Sequence, residues 1–334
     1  MITRPADTLL SVDSLAVRFG GNEDAFLAVE DVSFDLRAGE TLSLLGESGS
    51  GKSVTAQAIM ALLPRNAAIT SGRIVFAGED LVSLPRSRTR DLCGTRMGMV
   101  FQDPLTALNP VFTVGDQIAE LFRVRQGLDR RAAWLAAAEV VDAVGIPDAR
   151  RRLDAYPHQF SGGMRQRLVI AMAIALKPRL LIADEPTTAL DVTVQAQIME
   201  LIRDLQRETG MSLLLITHDL GVVADVTDRV AVMYAGRIVE TGPVRDVYDN
   251  PAHPYTRGLM SSIPSLEESP GLLAAIPGMP PNPKERPSGC PFHPRCAFAR
   301  PVCSVERPAL RAMGDRRKAA CHFAEEVVRL DPVS

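Results

Sequence analysis

The chain has 334 residues, of which 46% are hydrophobic and 23% charged, and its formal net charge is −3. These values are typical of a soluble globular protein, and the length allows one large or two modest domains. The slightly acidic balance gives no overall attraction to nucleic acid. The N-terminal residues lack the apolar stretch of a signal peptide, and the longest apolar run, 168–176, is too short to span a bilayer. We therefore expect a soluble protein that reaches a membrane only through a partner.

Strand-like and helix-like patterns alternate along roughly the first 240 residues. Residues 32–36 alternate apolar and polar, as in a strand with one buried face. Short apolar runs at 41–45, 180–183 and 212–217 predict buried strands. The segment 192–209 predicts a helix between the last two of them. Because a helix separates these two strands, we expect parallel pairing in an α/β domain.

The remaining patterns predict a helical insertion and an irregular C-terminal region. Residues 113–144 are alanine-rich with helical periodicity, and a hairpin is predicted at 234–237. We place a domain boundary near residue 250, so that a first domain covers 1–250, with its helical part at about 103–170, and a second covers 251–334. The second domain holds fourteen of the 24 prolines and four of the five cysteines, which argues against long regular elements there.

A glycine-rich loop follows the predicted strand at 41–45 and precedes a predicted helix. Its sequence from Gly46 to Ser53 fits the phosphate-loop pattern, in which backbone N–H groups and the helix N-terminus surround phosphate oxygens. Lys52 is expected to reach the β and γ phosphates, and Ser53 to ligate Mg²⁺. The candidate nucleotide-binding residues of this loop are Gly46, Ser48, Gly49, Ser50, Gly51, Lys52 and Ser53.

Two carboxylates follow the predicted strand at 180–183. Asp184 suits a direct or indirect Mg²⁺ role, and Glu185, one residue further, suits a general base for an attacking water. An Asp-Glu pair alone is often only the start of a loop. The phosphate loop upstream favours the catalytic interpretation.

A second candidate anion site lies at Ser161-Gly162-Gly163, where Ser161 is the predicted N-cap of a helix and the glycines expose backbone N–H groups. A helix cap with a flexible lead-in is the alternative interpretation. One domain rarely needs two phosphate-binding helix termini. This second site therefore suggests contact with the nucleotide of another subunit.

The order of these motifs resembles that of ABC transporter nucleotide-binding subunits. The resemblance extends over essentially the whole chain and includes Gln102 in Phe-Gln-Asp, Asp191 in Ala-Leu-Asp and His218 in Thr-His-Asp. It implies an α/β P-loop ABC ATPase core with an antiparallel β-subdomain, a helical subdomain and a small irregular cysteine-containing C-terminal domain. It also implies that two subunits enclose two ATP molecules, each between one phosphate loop and the other subunit's signature (residues 161–166).

The same resemblance implies roles for individual residues. Gln102 would contact Mg²⁺ and the attacking water, His218 would hold the γ-phosphate, and Asp191 would lie at the dimer contact. Phe19 is the expected aromatic under the adenine, with a core aromatic as its alternative interpretation and Phe26 as a weaker substitute. The signature departs from many relatives at Phe160 and Met164. Since phosphate contacts come from Ser161 and backbone N–H groups, we do not expect Met164 to abolish function.

Three longer segments resemble the dipeptide, oligopeptide and nickel importer ATPases: 102–110, 183–197 and 250–257. By that resemblance the partners are a related but distinct ATPase subunit, two membrane permease subunits and, indirectly, an extracytoplasmic substrate-binding protein. No nucleic-acid partner is expected. The chain would work peripherally at the cytoplasmic face of the cell membrane.

Four cysteines lie in the C-terminal domain: Cys290, Cys296, Cys303 and Cys321. Disulfides are not expected in a reducing cytoplasm, and the spacings do not fit the usual zinc pattern. The tail resembles a cluster-binding module of oligopeptide-type ATPases, which implies ligation of a [4Fe–4S] cluster. Zinc, with His293 and His322 as substitute ligands, and unliganded thiols are the alternatives. Cys93 stands apart as a small buried residue.

The sequence thus predicts an ATPase that couples ATP binding and hydrolysis, with Mg²⁺, to uptake of di- or oligopeptides. Nickel, glutathione and oligosaccharides are the alternative cargoes of the same machine. A non-transport ABC ATPase is disfavoured because the chain has one cassette and no long coiled coil. An iron–sulfur redox sensor with a vestigial nucleotide site is disfavoured because the catalytic set is complete.

Overall fold

The computed structural model describes residues 7–21, 24–188, 190–262, 276–314 and 316–330. The N-terminal residues 1–6 and Ala189, which precedes Asp191 in the Ala-Leu-Asp motif, lie outside them. The described residues form two compact units. The first unit comprises the described residues within 1–36, 41–83 and 217–334, and the second those within 37–40 and 84–216. No helix in the described ranges combines the length and apolarity needed to cross a bilayer.

The first unit contains most of the strands and the C-terminal residues. Its strands are β1 (Thr8–Phe19), β2 (Phe26–Arg37), β3 (Thr41–Leu45), β4 (Ala67–Phe76), β5 (Glu79–Asp80), β9 (Arg229–Tyr234), β10 (Arg237–Pro243), β11 (Arg311–Ala312) and β12 (Lys318–Ala319). Its helices are α1 (Lys52–Ile59), α9 (Leu220–Val226), α10 (Val244–Asp249), α11 (Pro254–Met260), α12 (Pro301–Val305) and α13 (Ala324–Val328).

Two strand arrangements build the first unit. One is a four-stranded sheet in the order β2-β1-β4-β5, in which β4 pairs antiparallel with both β1 and β5, as expected for an antiparallel β-subdomain. The other runs in the order β11-β12-β10-β9-β3. In it β3 and β9 are parallel, and the predicted hairpin joins β9 to β10. The C-terminal strand β12 pairs with β10 through Glu240↔Ala319 and Thr241↔Lys318.

The second unit contains three parallel strands and seven of the described α-helices. Its strands β6 (Met97–Val100), β7 (Leu180–Asp184) and β8 (Ser212–Thr217) pair in the order β6-β7-β8. Both pairs are parallel, which confirms the α/β prediction. Its helices are α2 (Arg86–Thr95), α3 (Pro104–Ala107), α4 (Val114–Gln126), α5 (Arg130–Ala143), α6 (Ala149–Arg152), α7 (Gly162–Ile174) and α8 (Val192–Thr209).

Local sequence signals explain where helix α8 begins and ends. The side chain of Asp191 accepts a hydrogen bond from the Val194 N–H, and Gly210 ends the helix in a left-handed conformation. Its buried side chains follow helical spacing and form one face: Ile198, Met199, Ile202 and Leu205. Both ends of the prediction at 192–209 are therefore confirmed.

Beyond residue 250 the described elements are short. The longest is α11, with seven residues, as the proline content predicts. Two small groups of buried side chains hold this region. One includes Tyr255 and Phe292 packed against Tyr234, and the other contains Ala252, Ala319, Cys321 and Ala324. The domain boundary near residue 250 stays a prediction.

Candidate functional site

The glycine-rich loop lies in the first unit between β3 and α1, as predicted. Gly46 has φ 147°, which side-chain-bearing residues rarely adopt. A Cβ at this position would lie 2.2 Å from the carbonyl oxygen of Met233. The backbone of the phosphate loop (residues 46–53) therefore runs so close to β9 that only glycine fits at its first position.

The ammonium of Lys52 is held inside this loop. Lys52 is 4% exposed, and its Nζ donates to the carbonyl oxygens of Gly46 at 2.6 Å and Glu47 at 3.0 Å. It is also 3.5 Å from the Oγ of Ser50. Lys52 begins helix α1, whose N-terminus adds positive potential at the same place. The loop thus presents a buried cation and a helix N-terminus, which together favour phosphate binding.

Two further predicted residues belong to the first unit. Phe19, at the end of β1, stacks on Phe26 with ring centroids 5.7 Å apart and planes 14° apart. Both rings are half-buried, so the pair offers an aromatic surface rather than a core contact. His218 follows β8 and is exposed, beside a turn in which the Thr217 hydroxyl accepts the Asp219 N–H at 2.9 Å.

The two predicted carboxylates belong to the second unit, where β7 ends. Asp184 is the last residue of β7 and is 5% exposed. Glu185 has φ 48°, and its N–H donates to the Ile216 carbonyl oxygen at 2.8 Å. A left-handed non-glycine residue is a strained conformation of the kind that gathers at functional sites. The sheet hydrogen bond fixes this turn and holds the Glu185 side chain beyond the strand end.

The carboxylate of Glu185 accepts two hydrogen bonds. Gln102, in the loop after β6, donates from Nε2 to Oε2 at 2.8 Å. The hydroxyl of Thr188 donates to the same oxygen at 2.9 Å. The structure thus brings together the predicted Gln102 and Glu185 and adds Thr188, which the sequence analysis missed. Its place three residues after Glu185, in a turn, was the available signal.

We expect Thr188→Val to lower the maximal rate of ATP hydrolysis about 10-fold, since a hydrogen bond to a charged group contributes about 1.5–3 kcal/mol. The Michaelis constant for ATP should stay near that of the wild type, because Thr188 orients the base and not the nucleotide. Steady-state kinetics of the two proteins measure both quantities. Thr188→Ser keeps the hydroxyl and should behave like the wild type; equal loss in both variants would contradict this role.

The signature occupies the start of α7. The Oγ of Ser161 accepts the Met164 N–H at 3.3 Å, which confirms the predicted N-cap. Ser161 and Gly162 are exposed. A Cβ on Gly163 would lie 2.7 Å from a Val194 methyl carbon, so this glycine permits close packing against the start of α8. Asp191, the exposed N-cap of α8, is therefore near the signature on the same unit.

The four C-terminal cysteines line one cavity in the first unit, together with His253, Phe292, Phe298 and Phe323. All four are free thiols, and Cys303 and Cys321 are buried. Burial raises the pKa of Cys296 and Cys321 to about 11. Among the described residues, no three Cys, His, Asp or Glu side chains are grouped closely enough to hold a single metal ion. Cys93, in the second unit, is half-buried, and burial raises its pKa to about 11 as well.

Comparison with known proteins identifies two matching family models. The ABC transporter model matches residues 29–188, and the model of the oligopeptide/dipeptide transporter C-terminal region matches residues 239–303. The chain is 47% identical over 315 residues to the dipeptide transport ATP-binding protein DppD of Escherichia coli (strain K12), covering 94% of this chain and 96% of that protein. It is 49% identical over 318 residues to the oligopeptide transport ATP-binding protein OppD of Salmonella typhimurium, and this match covers 95% of this chain and 94% of that protein.

A solved structure shows the same fold. The ATP-binding cassette MJ0796, in a dimeric post-hydrolysis state bound to ADP and Pi, has a TM-score of 0.64 with this chain at 25% identity. The match covers 71% of this chain and 99% of that one.

Proposed function

Since the chain belongs to the ABC transporter family of ATP-binding proteins, we propose that it couples ATP hydrolysis to the import of dipeptides or oligopeptides. Peptides are proposed as the transported substrate because nearly the whole chain, including its C-terminal region, is similar to dipeptide and oligopeptide transport proteins. ATP hydrolysis is the activity of this family of cassettes.

The phosphate loop and the other predicted site residues have assigned roles in this proposal. Lys52 and the N–H groups of Gly46 to Ser53 bind the phosphates, the stacked Phe19 supports the adenine, and His218 contacts the γ-phosphate. Ser53, Gln102 and Asp184 supply the oxygen donors that Mg²⁺ prefers, and the ion neutralises phosphate charge when bound. Their chemistry fits that ion.

Glu185 acts as the general base. Its carboxylate, oriented by Gln102 and Thr188, takes a proton from the attacking water. Because Gln102 donates to the carboxylate that binds the attacking water, the position of Gln102 depends on whether that water is in place. Movement of the Gln102 loop would then report the state of the nucleotide to the membrane subunits.

The partner subunits follow from the exposed helix termini. Ser161, Gly162 and Gly163, with Asp191 nearby, bind the nucleotide of a second, related ATPase in a heterodimer. The exposed caps of α7 and α8 and the exposed Val192 support this assignment. Two permease subunits hold the pair at the cytoplasmic face of the membrane, and a substrate-binding protein delivers cargo on the other side.

The C-terminal domain, residues 251–334, would hold a [4Fe–4S] cluster through Cys290, Cys296, Cys303 and Cys321. Four thiols around one cavity fit this group. Tetrahedral zinc with Zn–S bonds of about 2.3 Å would need sulfurs only about 3.8 Å apart. Among the described residues no group of three ligands is close enough for a single metal ion, which argues against zinc in the arrangement described. The cluster's role is structural, since hydrolysis needs no electrons.

We expect Cys290→Ser to lower the melting temperature and the amount of bound iron. The rate of ATP turnover at saturating ATP should be affected less. A staple lost from a small, proline-rich segment destabilises that segment first. Iron analysis, the visible absorption spectrum and calorimetry measure the effect. Cys93→Ser is the control, because Cys93 lies in the other unit. An unchanged melting temperature with lost turnover would refute the structural role.

The cargo is tested by uptake in cells that produce or lack the chain. Labelled peptides of two to eight residues, nickel, glutathione and an oligosaccharide are compared. Loss of peptide uptake alone supports the proposal, and the length dependence defines the substrate. Loss of uptake of another compound assigns the same machine to that cargo. If the chain were instead a soluble ATPase acting on DNA or ribosomes, its loss would leave the uptake of all these compounds unchanged.

A further inference from the structure

Glu47, the second residue of the phosphate loop, is fixed by three groups. Its carbonyl oxygen accepts from Lys52 Nζ at 3.0 Å, and its N–H donates to the Tyr255 hydroxyl at 2.8 Å. Its carboxylate forms a two-point ion pair with Arg295, with N–O distances of 2.7 and 2.9 Å. Tyr255 and Arg295 both come from the C-terminal part of the chain, more than 200 residues away in sequence.

The guanidinium of Arg295 is held on every side. Its side chain is 5% exposed, and its Nε donates to the Pro277 carbonyl oxygen at 2.9 Å. It lies over the rings of Tyr234 and Phe292, 5.8 and 5.9 Å from their centroids. Hydrogen bonding to Glu47 holds the pKa of Arg295 above its usual value. A buried, planar cation with its donors satisfied is a rigid partner for a carboxylate.

The same contacts lead to the cysteine cavity. Arg295 precedes Cys296, and Phe292 both lines the cavity and packs against Tyr255, with ring centroids 5.4 Å apart. Tyr255 N–H donates to the Nδ1 of the buried His253, which also lines the cavity. The C-terminal segment (residues 276–314) therefore contacts Glu47 directly through Arg295. It also packs, through Phe292, against Tyr255, which accepts the Glu47 N–H.

A second ion-pair group attaches this segment to the supports of the phosphate loop. Glu30 pairs with Arg286 and Arg307, each at 2.8 Å, and with Arg237 at 3.2 Å. The N–H of Glu30 donates to the Gly236 carbonyl oxygen, and the Gly236 N–H donates to that of Ser50. The C-terminal segment thus contacts the phosphate loop directly through Arg295. It also contacts the loop indirectly, through Glu30 and the β9–β10 hairpin turn at Gly236.

We propose that Arg295 is a positioning residue for nucleotide binding: it neutralises Glu47 and holds it so that the loop binds ATP only when the C-terminal segment is folded. A carboxylate within a loop that binds a triphosphate repels it, and Coulomb repulsion between partly buried charges is large enough to weaken binding about 10- to 100-fold. Pairing with Arg295 removes this repulsion. The inference rests on the proposed role of residues 46–53 in ATP binding.

The test measures ATP affinity and hydrolysis for the full chain with Mg²⁺. Arg295→Met should weaken ATP binding about 10- to 100-fold, given the Coulomb cost of the freed carboxylate. The Michaelis constant should rise while the maximal rate at saturating ATP changes less than 3-fold, since Arg295 touches no reacting group. Arg295→Lys, which keeps the charge but not the two-point geometry, should fall between Met and wild type.

The decisive variant is the double substitution of Arg295→Met with Glu47→Gln. If uncompensated charge is the cause, the double variant regains most of the lost affinity, although it has lost the same contacts. Glu47→Gln alone is the reference for the double variant, so that the effect of Arg295→Met is compared with and without the Glu47 carboxylate. Arg300→Met is the matched control, because Arg300 lies in the same segment but pairs with the exposed Glu326. Circular dichroism and melting curves check that each protein folds.

Should Arg295→Met fail to fold, Tyr255→Phe replaces it, because this change removes only the hydroxyl that accepts the Glu47 N–H. It should weaken ATP binding several-fold without loss of fold. Wild-type affinity in folded Arg295→Met or Tyr255→Phe would overturn the proposal, as would a double variant no better than Arg295→Met. Absence of ATP binding by the wild type itself would overturn the assignment of the phosphate loop, and this inference with it.

Discussion

We expect Glu185→Gln to lose most ATP hydrolysis and to keep ATP binding intact. Removing a general base lowers the rate about 10²- to 10⁴-fold. The amide preserves the shape of the side chain and can still accept from Gln102 and Thr188, so the turn after β7 should not change. Phosphate release and the dissociation constant for ATP, measured on the same preparation, separate the two effects.

Glu208→Gln provides the control for this variant. Glu208 is an exposed glutamate near the end of α8, and the same change of charge there should leave hydrolysis unaltered. Near-normal turnover in Glu185→Gln would remove Glu185 as the base. Loss of ATP binding together with hydrolysis would instead mean that the variant had damaged the fold of the site.

Gly46→Ala has the second large expected effect, which is loss of measurable ATP binding. A Cβ at residue 46 would lie 2.2 Å from a backbone oxygen of Met233, which cannot move without shifting β9. The loop must therefore leave its position, and the two carbonyl contacts of Lys52 are lost with it. Calorimetric titration with ATP measures the loss.

Gly78→Ala separates this steric effect from backbone strain. Gly78 has φ 87°, in the turn between β4 and β5, and a Cβ there would have open space. Alanine should cost only about 1 kcal/mol of stability at this position and leave ATP affinity unchanged. Equal ATP affinity in Gly46→Ala and the wild type would contradict the close approach of the loop to β9.

Local patterns were sufficient to predict much of the fold. Buried strands such as β7 appear as uninterrupted apolar runs, and α8 carries its own cap residues, Asp191 and Gly210. The sequence pattern predicts one helical region at 113–144, and the structure forms two helices there. Gly127 ends α4 in a left-handed conformation, and the side chain of Asp129 caps α5. The sequence contained this break in the same cap signals.

Long-range contacts could not be predicted in the same way. Glu47 and Arg295 are 248 residues apart, and no periodicity or spacing connects an acidic residue in a loop to one arginine among many. The placement of Thr188 beside Glu185 likewise depends on the left-handed turn at Glu185, which is set by its hydrogen bond to β8. Such residues are identified by geometry, because their type alone is unremarkable.

The most direct test of the account is uptake of labelled di- and oligopeptides by cells in which Glu185→Gln replaces the wild-type chain. Peptide uptake should fall to the level of cells lacking the chain, while the variant is still produced and still binds ATP. Undiminished peptide uptake by those cells, with hydrolysis by the purified variant lost as expected, would contradict the peptide-import claim.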